Sequence, residues 1–247
     1  GLLGQAWIAV DRSLGPTSGH VYSLCSVRRN TSNPCDVMMA KSVNGGDTWS
    51  TPQRINDDPQ NAGKYHWFGT LSIAPSGRLD VIWYDTRHSA NNTASRMYMT
   101  SSFDGGTSWV TPQPMTESFN HLVGFPSQDK IGDYIGMISQ NGYAQITFSA
   151  TFTGGEDVYY MRAPITHPTI NGTVTLADYQ PSAQGEQVGY QVIYQGNVLK
   201  AGTLTLGAGG SFSFPMDSFI AGSYELRMKG RTWLSRKVVM QPTANGI

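Results

Sequence analysis

The stretch S-V-N-G-G-D-T-W at Ser42–Trp49 returns as S-F-D-G-G-T-S-W at Ser102–Trp109. Each copy is followed by Thr-Pro, at Thr51-Pro52 and Thr111-Pro112, and preceded by a short apolar run, Val37-Met38-Met39-Ala40 or Met97-Tyr98-Met99. The repeated unit is therefore larger than the phrase, and a unit that recurs is a supersecondary element that buries its faces by stacking on its neighbours. Inside the phrases, Asn44-Gly45-Gly46 and Asp104-Gly105-Gly106 stand between strand-like runs. Glycine supplies positive φ and the Asx side chain bonds nearby backbone N–H groups, so each phrase reads as a hairpin. Its Trp, too large to leave in water, is expected to fold beneath the turn and anchor it to the sheet.

Working outward, Gly19, Gly77 and Gly142 serve as turn glycines. After them come the strand-like runs His20–Cys25, Arg78–Trp83 and Tyr143–Phe148, and ahead of them Trp7–Val10, Leu71–Ala74 and Gly136–Ser139. A third strand follows in each unit, ending with Asp157–Arg162 in the last, and no stretch has sustained helical periodicity. Residues 1–165 thus hold three successive units. Beyond Pro164, Ile165–Ile170 reads as a linker. From Asn171 onward short alternating runs bounded by glycine, such as Gly189–Tyr194, Ser211–Phe214, Tyr224–Met228 and Lys237–Met240, suggest a small β-sandwich.

The two phrases resemble the Asp-box, or bacterial neuraminidase repeat, of sialidase-like β-propellers, whose pattern is S-x-D-x-G-x-T-W. Ser42, Asn44, Gly46 and Trp49 carry the likeness in the first copy; Ser102, Asp104, Gly106 and Trp109 carry it in the second. Asn44 departs from the pattern's Asp and Ser108 from its Thr. The resemblance implies an all-β chain, a partial propeller of about three blades at 1–165 followed by a linker and C-terminal sandwich at 166–247. It also implies that the boxes are structural, on hairpins away from the central site. Propellers close with about four to eight blades, so these residues leave the ring open. Upstream blades of the same precursor are the preferred completion, with another copy or another polypeptide as alternatives, because an open arc leaves strand edges and an apolar face in water. The run Ala221–Leu234 resembles the closing hairpin of Ig-like or prealbumin-like domains appended to secreted bacterial proteins.

Seventeen basic and 17 acidic residues balance, which gives no electrostatic footprint for nucleic acid or an anionic membrane. No apolar run approaches the length of a spanning helix. Cys25 and Cys35 flank the polar loop Arg28–Pro34 and are expected to face each other across a hairpin as a disulfide, which would place the protein outside the cytosol; two buried free thiols are the alternative. The sequons at Asn30, Asn91 and Asn171 matter only in a eukaryotic secretory host.

The sialidase resemblance implies three arginines that grip a carboxylated sugar, a tyrosine nucleophile activated by a glutamate, and an aspartate acid/base. The family's early Arg-Ile-Pro-type motif is absent; Arg54-Ile55-Asn56 is the nearest string. Asp85 and Arg87, in Trp83–Arg87, are candidates for catalysis but are expected to form a salt bridge or hairpin brace with each other. Tyr134 is a candidate nucleophile or sugar platform, with packing as its expected role, because the propeller part holds only Glu117 and Glu156 to activate it and Glu156 is expected to point away from the axis. Tyr65, His66 and Trp67 could stack on a sugar or fill the core. The histidines are scattered singly and no metal or cofactor motif is present, although Asp104, Asp133 or Asp157 could each hold Ca²⁺. Three classes remain: a secreted or cell-surface protein of recognition or assembly, binding glycan or protein without catalysis in these residues; an exo-sialidase or related glycoside hydrolase completed upstream; and a subunit of an extracellular fibre or surface layer.

Overall fold

Short apolar strands alternate with glycine turns throughout the described residues, and the fold is all-β. The computed structural model describes residues 4–32, 34–123, 131–132, 134–175, 183–216, 223–231 and 236–240. Its strands are β1 (Trp7–Val10), β2 (Val21–Val27), β3 (Asp36–Ser42), β4 (Gln53–Arg54), β5 (His66–Ile73), β6 (Leu79–Asp85), β7 (Ala94–Ser102), β8 (Gln113–Pro114), β9 (Phe119–Asn120), β10 (Gly136–Gln140), β11 (Tyr143–Ala150) and β12 (Asp157–Pro164). They continue with β13 (Thr169–Thr173), β14 (Gln187–Tyr194), β15 (Asn197–Thr205), β16 (Ser211–Pro215), β17 (Tyr224–Gly230) and β18 (Arg236–Met240). The chain divides into two units, Gly1–Ser13 with Thr17–Ile165 and Leu14–Pro16 with Thr166–Ile247.

In the first unit, β1-β2-β3-β4 form sheet 1, β5-β6-β7-β8 with β9 on β7 form sheet 2, and β10-β11-β12 form sheet 3, all antiparallel meanders. Strand alternation sends successive side chains to opposite faces. Leu79, Val81 and Trp83 therefore meet Tyr22, Leu24, Val37 and Met39 of sheet 1, whereas Ile82 and Tyr84 meet Met137, Ile146 and Phe148 of sheet 3. Sheet 2 is covered on both faces. The flanking sheets each leave a face in water: Ile8 is 69% exposed on β1 and Val158 79% on β12, with Ile138 and Tyr160 exposed beside it.

Two devices seat the sheets on one another. Gly69 comes so close to sheet 1 that a Cβ there would stand 3.0–3.1 Å from Leu24, Ser26 and Val37. The approach is made by a bulge in β5, where Phe68 adopts φ +55°; that conformation is costly for an aromatic residue and persists only where packing fixes it. Arg78 and Asp80, both with 0% side-chain exposure, form a two-pronged ion pair. The same guanidinium donates to the Gln140 and Asn141 carbonyls at 2.7 and 2.5 Å, stapling sheet 2 to the β10–β11 turn.

The second unit packs the two-stranded sheet β13-β16 over the four-stranded sheet β15-β14-β17-β18. Ile170, Tyr190, Val192, Phe214, Tyr224 and Leu226 share its core, and Tyr190 stacks on Phe214 at 4.2 Å between centroids. Gln195 (φ 47°) and Gly196 (φ 83°) make the tight β14–β15 turn, the double positive φ that a type I′ hairpin needs. Strand β13 occupies Thr169–Thr173, so the expected linker is shorter than read from sequence; Thr169 and Ile170 belong to the sandwich because Ile170 alternates inward. Part of the Ala221–Leu234 run lies outside the described residues.

The expected disulfide is absent. Cys25 pairs with Met38 across β2–β3, so their side chains share a face, and Cys35, an odd number of residues from Met38, points the other way. Both are free thiols. The Cys35 thiol donates to the His66 carbonyl at 2.9 Å, and burial pushes it up to about 12.

Candidate functional site

Polar residues gather where sheets 1 and 2 end together. His66 opens β5 directly opposite Asp85 at the end of β6. Asp36 opens β3, and a bridge between Cys35 and Tyr65 ties the two sheets at this rim. Arg54 closes β4, and the chain then turns through Asn56, Asp57 and Asp58.

Arg54 donates from Nε to Asp36 Oδ1 at 2.9 Å and from Nη2 to Asp58 Oδ1 at 2.7 Å. Asn56 Nδ2 bridges the same two carboxylates at 2.9 and 2.8 Å, and its carbonyl accepts from Val37 N. Asp85 accepts from Arg87 Nε (2.8 Å), Trp83 Nε1 (2.9 Å) and Arg87 N (2.7 Å). Arg87 also donates to Asp57 at 2.6 Å and lies over the Tyr98 ring, 4.4 Å from its centroid. His66 is buried at the centre. Its Nδ1 is 2.7 Å from the Cys35 carbonyl; its Nε2 is 2.9 Å from Asp58 Oδ1, off the line of a hydrogen bond, and 3.6 Å from Asp85 Oδ2. An oxygen thus faces each ring nitrogen. Asp36, Asp57, Asp58 and Asp85 are paired with Arg29, Arg54 and Arg87, and His66 lies among them.

The electrostatics follow. Burial pushes the Asp58 carboxyl up, but His66, Asn56 and Arg54 outweigh it and hold the group at about 2. Asp36 is lowered for the same reasons, with burial again opposed by Asn56 and Arg54. Burial works against the Arg87 charge, yet Asp85 and Asp57 keep it above its ordinary value. Carboxylates that stay ionised this far into acid cannot donate a proton near neutrality. Arg54 and Arg87 are both spent on aspartates. The arrangement braces the rim and is poorly suited to general acid chemistry.

The rim unites His66, Asp85 and Arg87 among the residues singled out from sequence, with Tyr65, 40% exposed, beside them and bonded by its backbone to Thr86. Trp67 turns the other way: its Nε1 donates to Ser95 Oγ at 3.1 Å and its ring packs on Tyr84 and Phe68. Tyr134, expected to pack in the interior, instead stands 83% exposed. Glu156, expected to point away, instead accepts from Gly132 N, near Tyr134 in the chain. Asp36, Asn56, Asp57 and Asp58 were not foreseen; an Asn-Asp-Asp run following a repeat phrase was the available signal.

In the phrases, Ser42 Oγ donates to Asn44 Oδ1 and accepts from Gly46 N, both at 2.9 Å. Ser102 repeats this with Asp104 and Gly106 at 2.8 and 2.9 Å. Asp104 further accepts from Thr107 N, Ser108 N and Ser108 Oγ, so its two oxygens are occupied by its own turn. Asp157 accepts from Thr153 Oγ1 at 2.6 Å; Asp133 lies outside the described residues. Among the described residues no three His, Cys, Asp or Glu side chains are grouped to hold a metal, and no helix is long and apolar enough to cross a membrane.

No family model matches the chain, and no curated protein matches it. Solved structures similar to it include a Hadza microbial sialidase, Hz136 (11% identity, TM-score 0.39, covering 96% of this chain and 52% of that one). Others are the polysaccharide lyase Uly1 (14%, 0.34, 90% and 55%) and Zg3597, a family 117 glycoside hydrolase produced by the marine bacterium Zobellia galactanivorans (12%, 0.35, 98% and 75%). The chain spans about half the length of the first two. Likeness this loose fixes no residue correspondence, and the rim is read from its own chemistry; what the neighbours have in common is a β-rich, carbohydrate-active character.

Proposed function

We propose that the chain is a recognition or assembly protein of the sialidase-like propeller kind, working outside the cytosol and binding glycan or protein without catalysis in these residues. The observation that carries the reading is the contrast between sheet 2, covered on both faces, and the flanking sheets, whose outer faces hold Ile8, Val10, Ile138, Val158 and Tyr160 in water. Apolar faces of this kind are association surfaces. Further blades of the same polypeptide, or of a second copy, are the partners that suit them. The pairing of the rim's arginines with its aspartates supports a non-catalytic role, and the Asp-box resemblance of the two phrases supports the propeller and its extracellular setting.

Incubation of the full chain with a sialoside tests the catalytic half of this reading. No release of sialic acid is expected. Release that is abolished by Tyr134→Phe or Arg87→Ala would overturn it in favour of a hydrolase.

A further inference from the structure

We infer that the second unit carries a binding face for an acidic polysaccharide, on the outer surface of strands β14, β17 and β18. Between Tyr224 and Met240 the chain has five cations, Arg227, Lys229, Arg231, Arg236 and Lys237, and one acid, Glu225. Alternation along β17 sends Tyr224, Leu226 and Met228 to the core and Arg227 and Lys229 to solvent. Arg227 lies directly across from Lys237 on β18, so these three cations share the outer face, about 5–7 Å apart by strand geometry. Arg231 follows just past β17 at the same corner, whereas Arg236, in register with the inward-facing Met228, lies on the other face of β18. Glu225 is held by both Arg227 and Lys237, which leaves the corner with a clear excess of positive charge.

The surface beside the cations fits a flat, hydroxylated chain. In register with Arg227 lie Gln191 and Ala201; in register with Lys229 lie Gly189 and Thr203. Gln191, Ala201 and Thr203 are exposed. Small side chains make a shallow shelf, the amide and hydroxyl can bond sugar hydroxyls, and guanidinium and ammonium groups meet carboxylate or sulfate. Single-stranded nucleic acid suits the face less, because base stacking needs aromatic platforms and these outer-face residues include none. The inference is independent of what covers the first unit, and either can fail without the other.

The test is retention of the full chain on immobilised polygalacturonate, with neutral dextran and oligo-dT as comparators. Retention on polygalacturonate is expected at low salt, falling steeply as salt rises, with none on dextran. The double variant Lys229→Glu, Lys237→Glu should weaken it on the order of tenfold or more, since binding to a polyanion rests on the cations it displaces counterions with. Glu225→Gln, which removes the lone acid, should strengthen it, and this opposite sign keeps the test decisive if the double variant misfolds. No retention by the wild type, retention indifferent to these changes, or equal retention on oligo-dT would each overturn the proposal.

Discussion

The two copies of the repeated phrase make the same turn in different surroundings. In both, a serine hydroxyl bonds the Asx side chain and the N–H of the second glycine. The second copy is clamped against sheet 1. A Cβ on Gly106 would stand 2.5 Å from Met39, Lys41 donates to the Gly105 carbonyl at 3.3 Å, and Trp109 packs on the core between sheets 1 and 2. The first copy has no such neighbour among the described residues: Gly45 and Gly46 face open space and Trp49 is 42% exposed. The phrase alone therefore fixes the turn, while the burial of its tryptophan is fixed by the sheet that precedes it in the stack. An uncovered phrase, together with exposed Ile8 and Val10, makes the outer side of sheet 1 the face on which the proposed further blade would pack.

The largest expected effect lies on the covered side. Arg78→Ala would leave Asp80 as an uncompensated charge within the sheet 2–sheet 3 seam, at a cost of about 3–5 kcal/mol, read by denaturant unfolding. Trp109→Ala should cost about 3 kcal/mol, toward the low end for buried aromatic truncation because the ring is only partly buried. If Trp109→Ala melts like wild type, the contrast between the two copies has no energetic content.

Acid tests the rim that ties sheets 1 and 2. Asp58 has its folded value lowered from 3.8 to about 2, so its stabilisation is complete above about pH 4 and lost as pH falls towards 2. The loss is about 2 kcal/mol, and Asp58→Asn should abolish this part of the pH dependence while lowering stability at neutral pH. The smallest effect belongs to Trp49→Ala, about 1 kcal/mol or less for a side chain so exposed. A cost equal to that of Trp109→Ala would break the comparison.

Much of the fold was legible because its signals are local. Glycine turns and β-branched or aromatic runs placed β1, β2, β6 and β11 close to where they lie, and the Asx-Gly-Gly phrases located two hairpins. What escaped depends on partners distant in sequence. Trp49 and Trp109 look alike in the chain, and only the stacking of sheets separates them. Cys25 and Cys35 look like cross-strand partners until the register puts them on opposite faces. The Asp85–Arg87 brace and the Tyr65–His66–Trp67 run can be read from the chain, but Asp36, Arg54 and Asp58 join them only because the head of β3, the tail of β4 and the head of β5 converge on one rim.

The most direct measurement is the size of the native particle, by native mass spectrometry and electron microscopy of material purified from its source. The account expects either a polypeptide longer than this chain or an assembly of several copies, in each case with Ile8, Val10 and Trp49 protected from solvent labelling. A monomer of this chain alone, with those residues freely labelled, would contradict it.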